Sequence, residues 1–179
     1  MKFDFNFDQN IKIERVNSFS EEIEEVYLKS SAYTLNKIAI GRNQSYLNWR
    51  FFDNPIEHYI VFVAKTHGKI SGYIVLKIHH KKNLIFGHLV DFLTKKENEE
   101  KIFQSLLHKT FEFFKWAKVD KISTWCPPSN PYFHILHSIG FKANGFNTHF
   151  VLKPMRNDIP TDCFNNDNWF VTMADSDAF

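Results

Sequence analysis

At 179 residues, with 44% hydrophobic and 23% charged side chains, the chain is long enough for one domain with a full core and too apolar to be disordered. Its 22 basic and 20 acidic residues are mixed along the length, for a net charge of +2, which implies no strongly basic face and gives nucleic-acid binding no support. Two cysteines without zinc or CxxC spacing, Cys126 and Cys163, exclude a disulfide scaffold, and no run approaches the ~20 apolar residues of a membrane span, so the expectation is a cytoplasmic protein.

Ile11 to Val16 alternates apolar with charged residues, the period of a strand with one wet face. The N-terminal MKFDFNFDQN lacks the basic start and long apolar run of a signal peptide, and residues 1–10 are read as a flexible or added segment of a single domain spanning 1–179. Ser20, followed by Glu21 and Glu22, predicts a helix N-terminus, and that helix runs to about Ser31. Ser45 predicts the cap of a second, shorter helix carrying Tyr46, Leu47, Trp49, Arg50 and Phe51, stopped by Asp53, Asn54 and Pro55.

The run from Tyr59 to Ala64 is apolar at nearly every position, as in a strand buried on both faces. Turn residues Thr66 to Lys69 and Lys81 to Asn83 separate it from strands at Ile70–Ile78 and Leu84–Leu93, so three consecutive antiparallel strands are predicted. Thr94 and Glu97 have capping-box spacing, and Phe103, Leu106, Leu107, Thr110, Phe111, Phe114 and Ala117 line one face of the longest helix. Lys121 to Trp125 reads as a short strand joined through a right-handed crossover, hence parallel to its predecessor, and the sheet is mixed. A short helix over Asn130–Ile139 ends at Gly140. Strands at Phe146–Leu152 and Trp169–Met173 flank a polar loop, and Asp175 and Asp177 read as a solvated acidic tail.

This order of elements resembles the GNAT acyltransferase superfamily over most of the chain. The fold class expected is therefore α/β (α+β), a mixed, mostly antiparallel sheet flanked by about four helices. The blocks KISGYIV at Lys69 to Val75 and SNPYFHILHSIGF at Ser129 to Phe141 carry the likeness, with Asn130 and the Gly140, Phe141 pair at family-like places. A narrower similarity is to bacterial proteins with two GNAT-like halves in tandem, linked to polysaccharide synthesis. It rests on YLNWR (Tyr46 to Arg50), VDFL (Val90 to Leu93) and WFVTMADSD (Trp169 to Asp177).

The resemblance implies transfer of an acyl group from acetyl-CoA or another acyl-CoA to a primary amine of a small molecule or sugar precursor. It implies a cofactor path along Phe92, Leu93, Thr94, Lys95, Lys96 and Asn130, and substrate contacts from Trp49, Arg50 and Trp125. The partner implied is the small-molecule amine, with a second GNAT-like domain or a homodimer as the protein partner. Where the family's phosphate loop carries glycines, this chain reads LTKKENEEKIF from Leu93 to Phe103, with none. At the family's thiolate-protonating Tyr stands Leu136; Tyr132, one turn earlier, is the substitute, then His137 and Cys126. Tyr132 is also explicable as a packing residue.

Asp91, set among Leu89, Val90, Phe92 and Leu93, is either the catalytic base or substrate contact, or a structural acceptor for Arg50 or Trp49. No metal is expected, because His134/His137 and His79/His80 lack a third ligand at useful spacing. The rival to an enzyme is a degenerate GNAT-like domain that binds a ligand or tandem partner without catalysis. A third class is an acyltransferase whose donor is carrier-linked or a charged tRNA. The twenty phenylalanines fit either AT-rich coding bias or a Phe-lined pocket.

Overall fold

The structure, a computed structural model, describes residues 8, 10–35, 37–143, 152–156 and 158–176. Among them five strands form one sheet in the order β1-β2-β3-β4-β5. β1 (Ile11–Val16) keeps its charged residues exposed and pairs antiparallel with β2 (Ile60–Thr66). β2 turns into β3 (Lys69–Lys81) through His67 and Gly68, both at positive φ (51° and 78°), the backbone that two-residue hairpins require. β3 pairs antiparallel with β4 (Leu84–Thr94), and β4 pairs parallel with β5 (Lys121–Thr124), so the sheet is mixed as the crossover rule predicts.

Helices cover both faces. α4 (Glu99–Trp116) buries Ile102, Phe103, Leu106, Leu107, Thr110 and Phe114, its i, i+3, i+4 stripe, against one face. Gly87 is the residue that lets it approach: a Cβ there would lie 2.7 Å from the Phe114 ring. The other face is covered by α1 (Glu22–Leu28), α3 (Gln44–Phe51) and the segment around Phe170 to Ala174, with α2 (Ser31–Thr34) packed on α1. Phe19 packs edge-on against Tyr73 of β3 at 5.2 Å between centroids. α5 (Phe133–Ser138) follows β5.

Several expected boundaries move, each for a local reason. The first helix does not reach Ser31. It stops at Leu28, and Ser30, in an extended conformation, bridges to Lys95 and caps α2 by accepting from Tyr33 N–H at 3.2 Å. Asn43, not Ser45, caps α3, its Oδ1 accepting from Tyr46 N–H at 2.8 Å. The Thr94/Glu97 capping box does not form. Thr94 is the last residue of β4, and α4 starts five residues later behind Asn98, which has φ 58° and makes no side-chain cap. The strand expected at Trp169–Met173 is a single bridge between Trp169 and Ile38, followed by a 3-10 turn at Met173–Asp175. That turn closes because Asp175 accepts from Thr172 N–H at 2.8 Å, which ends any extended run. The strand expected at Phe146–Leu152 lies, apart from its last residue, outside the described residues, as does most of 1–10.

Candidate active site

β4 pairs with β5 only from Phe86↔Lys121 to Leu89↔Thr124, and Thr124 Oγ1 donates to the Leu89 carbonyl at 2.9 Å at the end of that ladder. The register between β3 and β4 slips at the same point: Val75 faces Asp91 while Leu76 faces Leu89, so Val90 is a bulge. A bulge bends its strand and raises its twist, which carries β4 away from β5. Among the described residues, Val90 to Thr94 have no strand neighbour on the β5 side.

Tyr132, just ahead of α5, stands at that open stretch. Its hydroxyl accepts from Thr94 N–H at 2.8 Å and lies 3.1 Å from Thr94 Oγ1. Its ring packs against Phe92 and Phe103, at 5.3 and 4.6 Å between centroids. Burial, and then the nearby Glu99 carboxylate, hold the Tyr132 hydroxyl well above the usual phenol range, so it keeps its proton. Asn130 is 2% exposed; its Oδ1 accepts from Tyr132 N–H at 3.0 Å, and its Nδ2 is buried without a hydrogen-bond partner.

Asp91 is fully buried on the opposite face and takes three donors. Oδ1 accepts from Thr172 Oγ1 at 2.8 Å and from Arg42 Nη2 at 3.3 Å, and Oδ2 from the Tyr73 hydroxyl at 2.7 Å. The partner is thus Arg42, where the sequence suggested Arg50 or Trp49. Arg42 also reaches Asp175 at 2.8 Å and lies over the Phe170 ring, 5.2 Å from its centroid. Burial opposes the Arg42 charge, but Asp91 and Asp175 outweigh it and raise its pKa. Asp175 is no solvated tail: its side chain is 8% exposed, and burial lifts its carboxyl above the usual range against the pull of Arg42.

The other expected site residues divide. Phe92, Leu93 and Thr94 are buried along the open stretch. Lys95 N–H donates to the Ser71 carbonyl and Lys96 N–H to the Lys29 carbonyl, each at 2.8 Å, and Lys95 Nζ pairs with Glu25 at 3.0 Å. Arg50 binds the C-terminal segment, Nη2 donating to the Ser176 carbonyl at 2.7 Å. Trp49 is exposed on α3 with its ring 6.0 Å from Tyr46, and Trp125 directly follows the last paired residue of β5. Cys126 is an inert thiol, pushed up to about 12 by burial.

Sequence reasoning missed Arg42, Tyr73 and Thr172 as members of the site. One signal was readable: Thr172 and Asp175 have the T-x-x-D spacing of a capping box. Arg42 and Tyr73 carry no such local signal. Among the described residues no group of three or more His, Cys, Asp or Glu could hold a metal, and no helix is long and apolar enough to cross a membrane.

No protein-family model matches the chain, and none of the curated proteins does. Solved structures do. An aminoglycoside acetyltransferase from an uncultured soil metagenomic sample, in complex with trehalose, aligns with TM-score 0.58 at 16% identity over 82% of this chain and 98% of its own. A GNAT family acetyltransferase of Staphylococcus aureus aligns with TM-score 0.53 at 18% identity, over 79% and 100%. Glucosamine-6-phosphate N-acetyltransferase from Arabidopsis thaliana aligns with TM-score 0.54 at 14% identity, over 80% and 100%. The chain has the GNAT fold.

Proposed function

We propose that the chain is an N-acyltransferase that moves an acyl group from a pantetheine thioester, acyl-CoA being the simplest donor, to a primary amine of a small molecule or sugar precursor. The observation that carries this reading is the stretch of β4 from Val90 to Thr94, buried yet without a strand partner on the β5 side, beside a buried Asn130 Nδ2 that has no acceptor. A donor with amide carbonyls lying in the opening would satisfy that nitrogen, whose burial unpaired otherwise costs about 1–3 kcal/mol.

In this reading the amine nitrogen attacks the thioester carbonyl carbon, the C–N bond forms and the C–S bond breaks. Tyr132, protonated and bonded to Thr94 beside that stretch, gives its proton to the departing thiolate and is reprotonated from solvent after product release. The amine's proton goes to Asp175, directly or through one water, because Asp175 is the carboxylate of the buried cluster with some exposure. Asp91 is a positioning residue that holds Arg42 and Thr172, and through them Asp175. Trp49, with Tyr46, supplies an aromatic rim for the acceptor; Arg50 braces the Ala174 to Ser176 backbone, and Trp125, just past the paired end of β5, is a further substrate contact.

A second reading, a binding module or tandem partner without catalysis, is favoured by one observation: the N–H groups of Lys95 and Lys96 are already spent on protein carbonyls and cannot cradle a phosphate. Amine-dependent thiol release from acetyl-CoA, together with thermal stabilisation by millimolar acetyl-CoA, decides between them. The acyltransferase reading requires both; no release and no shift leaves the binding module.

A further inference from the structure

Charge that is mixed along the sequence, and that implies no basic face there, is gathered at one end of the fold. β2 begins opposite Leu76 and β5 begins opposite Phe86, so the β3–β4 hairpin from Lys77 to Ile85 projects past both neighbouring strands. The turn from α4 into β5 lies against this hairpin. Asp120 N–H donates to the Ile85 carbonyl at 2.8 Å, and Ile85 N–H donates to Asp120 Oδ2 at 2.7 Å. Hairpin and turn are thereby held together as one surface, with α4 ending at the same level, where Phe114 packs on Gly87.

That surface is basic. Lys81 and Lys82 of the hairpin and Lys115, Lys118 and Lys121 of the turn are exposed, and among the described residues none of the five pairs with a carboxylate. Residues 77 to 90 hold no acid, and Asp120 is the one acid from 115 to 121. Lys77, further in, is neutralised by Glu57 at 2.8 Å. Five lysines less one aspartate give this end +4 with its histidines neutral, while the whole chain carries +2, so the remainder is net negative.

Two large apolar side chains stand out among those charges: Trp116 is 78% exposed and Leu84, beside the hairpin turn, 38%. Phe113 steadies the Trp116 ring, at 5.8 Å between centroids. Lysines interleaved with exposed Trp and Leu suit the boundary of a bilayer, where the ammonium groups meet anionic headgroups and the apolar side chains enter just below them. A projecting hairpin also fits a headgroup layer better than it fits a nucleic-acid strand, which runs along a groove.

We propose that this end of the molecule docks the protein on an anionic lipid surface, the five lysines meeting the headgroups and Trp116 and Leu84 entering the interface. The docking is peripheral and reversible, and it stands apart from the acyltransferase reading, since it is measured without turnover.

The test is co-sedimentation of the full chain with vesicles of phosphatidylcholine alone and of phosphatidylcholine and phosphatidylglycerol in equal parts. Each lysine at an anionic surface contributes about fivefold in affinity. The protein is expected to bind the mixed vesicles at least about tenfold more tightly than the neutral ones, and to lose that preference near 1 M salt, where the Debye length is ~3 Å. The variant Lys81→Gln/Lys82→Gln/Lys115→Gln is expected to bind the mixed vesicles at least about twentyfold more weakly than wild type. Lys81→Gln/Lys82→Gln, expected to lose at least about tenfold, serves should the triple variant fold poorly. On the mixed vesicles the tryptophan emission shifts to the blue in wild type and not in Trp116→Phe. Equal binding to both kinds of vesicle, binding to neither, lysine variants that bind as wild type does, or no shift from Trp116 overturns the inference. So does capture of single-stranded RNA without vesicle binding, which makes the same lysines a nucleic-acid surface.

Discussion

Arg42 is the side chain on which the buried cluster depends. It sits between two carboxylates, Asp91 and Asp175, with no exposure of its own. Removing one partner of a buried ion pair leaves an uncompensated charge, which costs about 3–5 kcal/mol, more than burying the pair ever contributed. Arg42→Met, of similar length, is therefore expected to lower the unfolding free energy by at least about 3 kcal/mol at pH 7.5 in urea titrations. The sign of the pH dependence follows. Burial already holds the Asp175 carboxyl above its unfolded range, and losing Arg42 raises it further. The folded variant then binds more protons than the unfolded chain, so its stability rises as pH falls through that raised pKa. A smaller loss at pH 5 than at pH 7.5 is expected, and a loss below 1 kcal/mol at both pH values would show that the cluster is incidental. Nothing local in the sequence marks Arg42 for this place: its partners are 49 and 133 residues away in the chain. Asp91, by contrast, was legible as a polar residue in an apolar run, on a polar strand face or in an apolar cleft, while its full burial and its partner were not.

Helix termini show what local sequence can and cannot specify. α5 ends as read, with Gly140 at φ 96°, its N–H bonded to the His137 carbonyl at 3.0 Å and Phe141 N–H to the Leu136 carbonyl at 3.1 Å. α4 ends in the same pattern of bonds, Lys118 N–H to Lys115 and Val119 N–H to Phe114, at 3.2 and 2.9 Å, but with Lys118 at φ 55° in the residue position that favours glycine. A side chain in that conformation is strained by about 1–2 kcal/mol, part of which glycine's greater unfolded-state entropy offsets. Lys118→Gly is expected to stabilise the protein by about 0.5–1 kcal/mol and Gly140→Ala to destabilise it by about 1 kcal/mol, both read from urea midpoints. Opposite signs at the two positions are the essential outcome; a Lys118→Gly protein less stable than wild type would refute the account. The Thr94/Glu97 spacing, equally local, misled because tertiary structure overrode it. The Lys95 and Lys96 N–H groups bond Ser71 and Lys29, which extends the β4 path past the point where a helix would otherwise begin. Trp169 to Met173 alternates like a strand, yet among the described residues its only ladder partner is Ile38, and the Thr172 to Asp175 turn takes over.

At the scale of the molecule, the two faces of the sheet meet where β4 is open. Tyr132, which packs with α4, touches Phe170, which belongs to the segment over the other face; their rings are 6.4 Å apart. Phe170 in turn lies under Arg42, and its N–H donates to the Ile38 carbonyl at 2.9 Å while Ile38 N–H donates to the Asn168 carbonyl at 2.7 Å. The segment from Trp169 to Ser176 therefore lies over the face opposite α4, near the part of β4 that β5 does not reach. Sequence patterning reached the three successive antiparallel strands, the long helix and the parallel crossover because these depend on short periods. It could not reach this placement, which depends on contacts across more than a hundred residues. A chain ending at Asn168 loses the buried side chains of Phe170, Thr172, Met173 and Ala174 and one of the two carboxylates on Arg42. Each large apolar side chain taken from a core costs about 2–5 kcal/mol, so the shortened protein is expected to lose at least about 4 kcal/mol. For a chain of this size that is a fall in melting temperature of roughly 8 °C or more, with the near-UV signal of the packed aromatics lost at a lower temperature than in wild type. A shortened protein that melts within about 2 °C of wild type would mean that α1 to α3 cover the face by themselves.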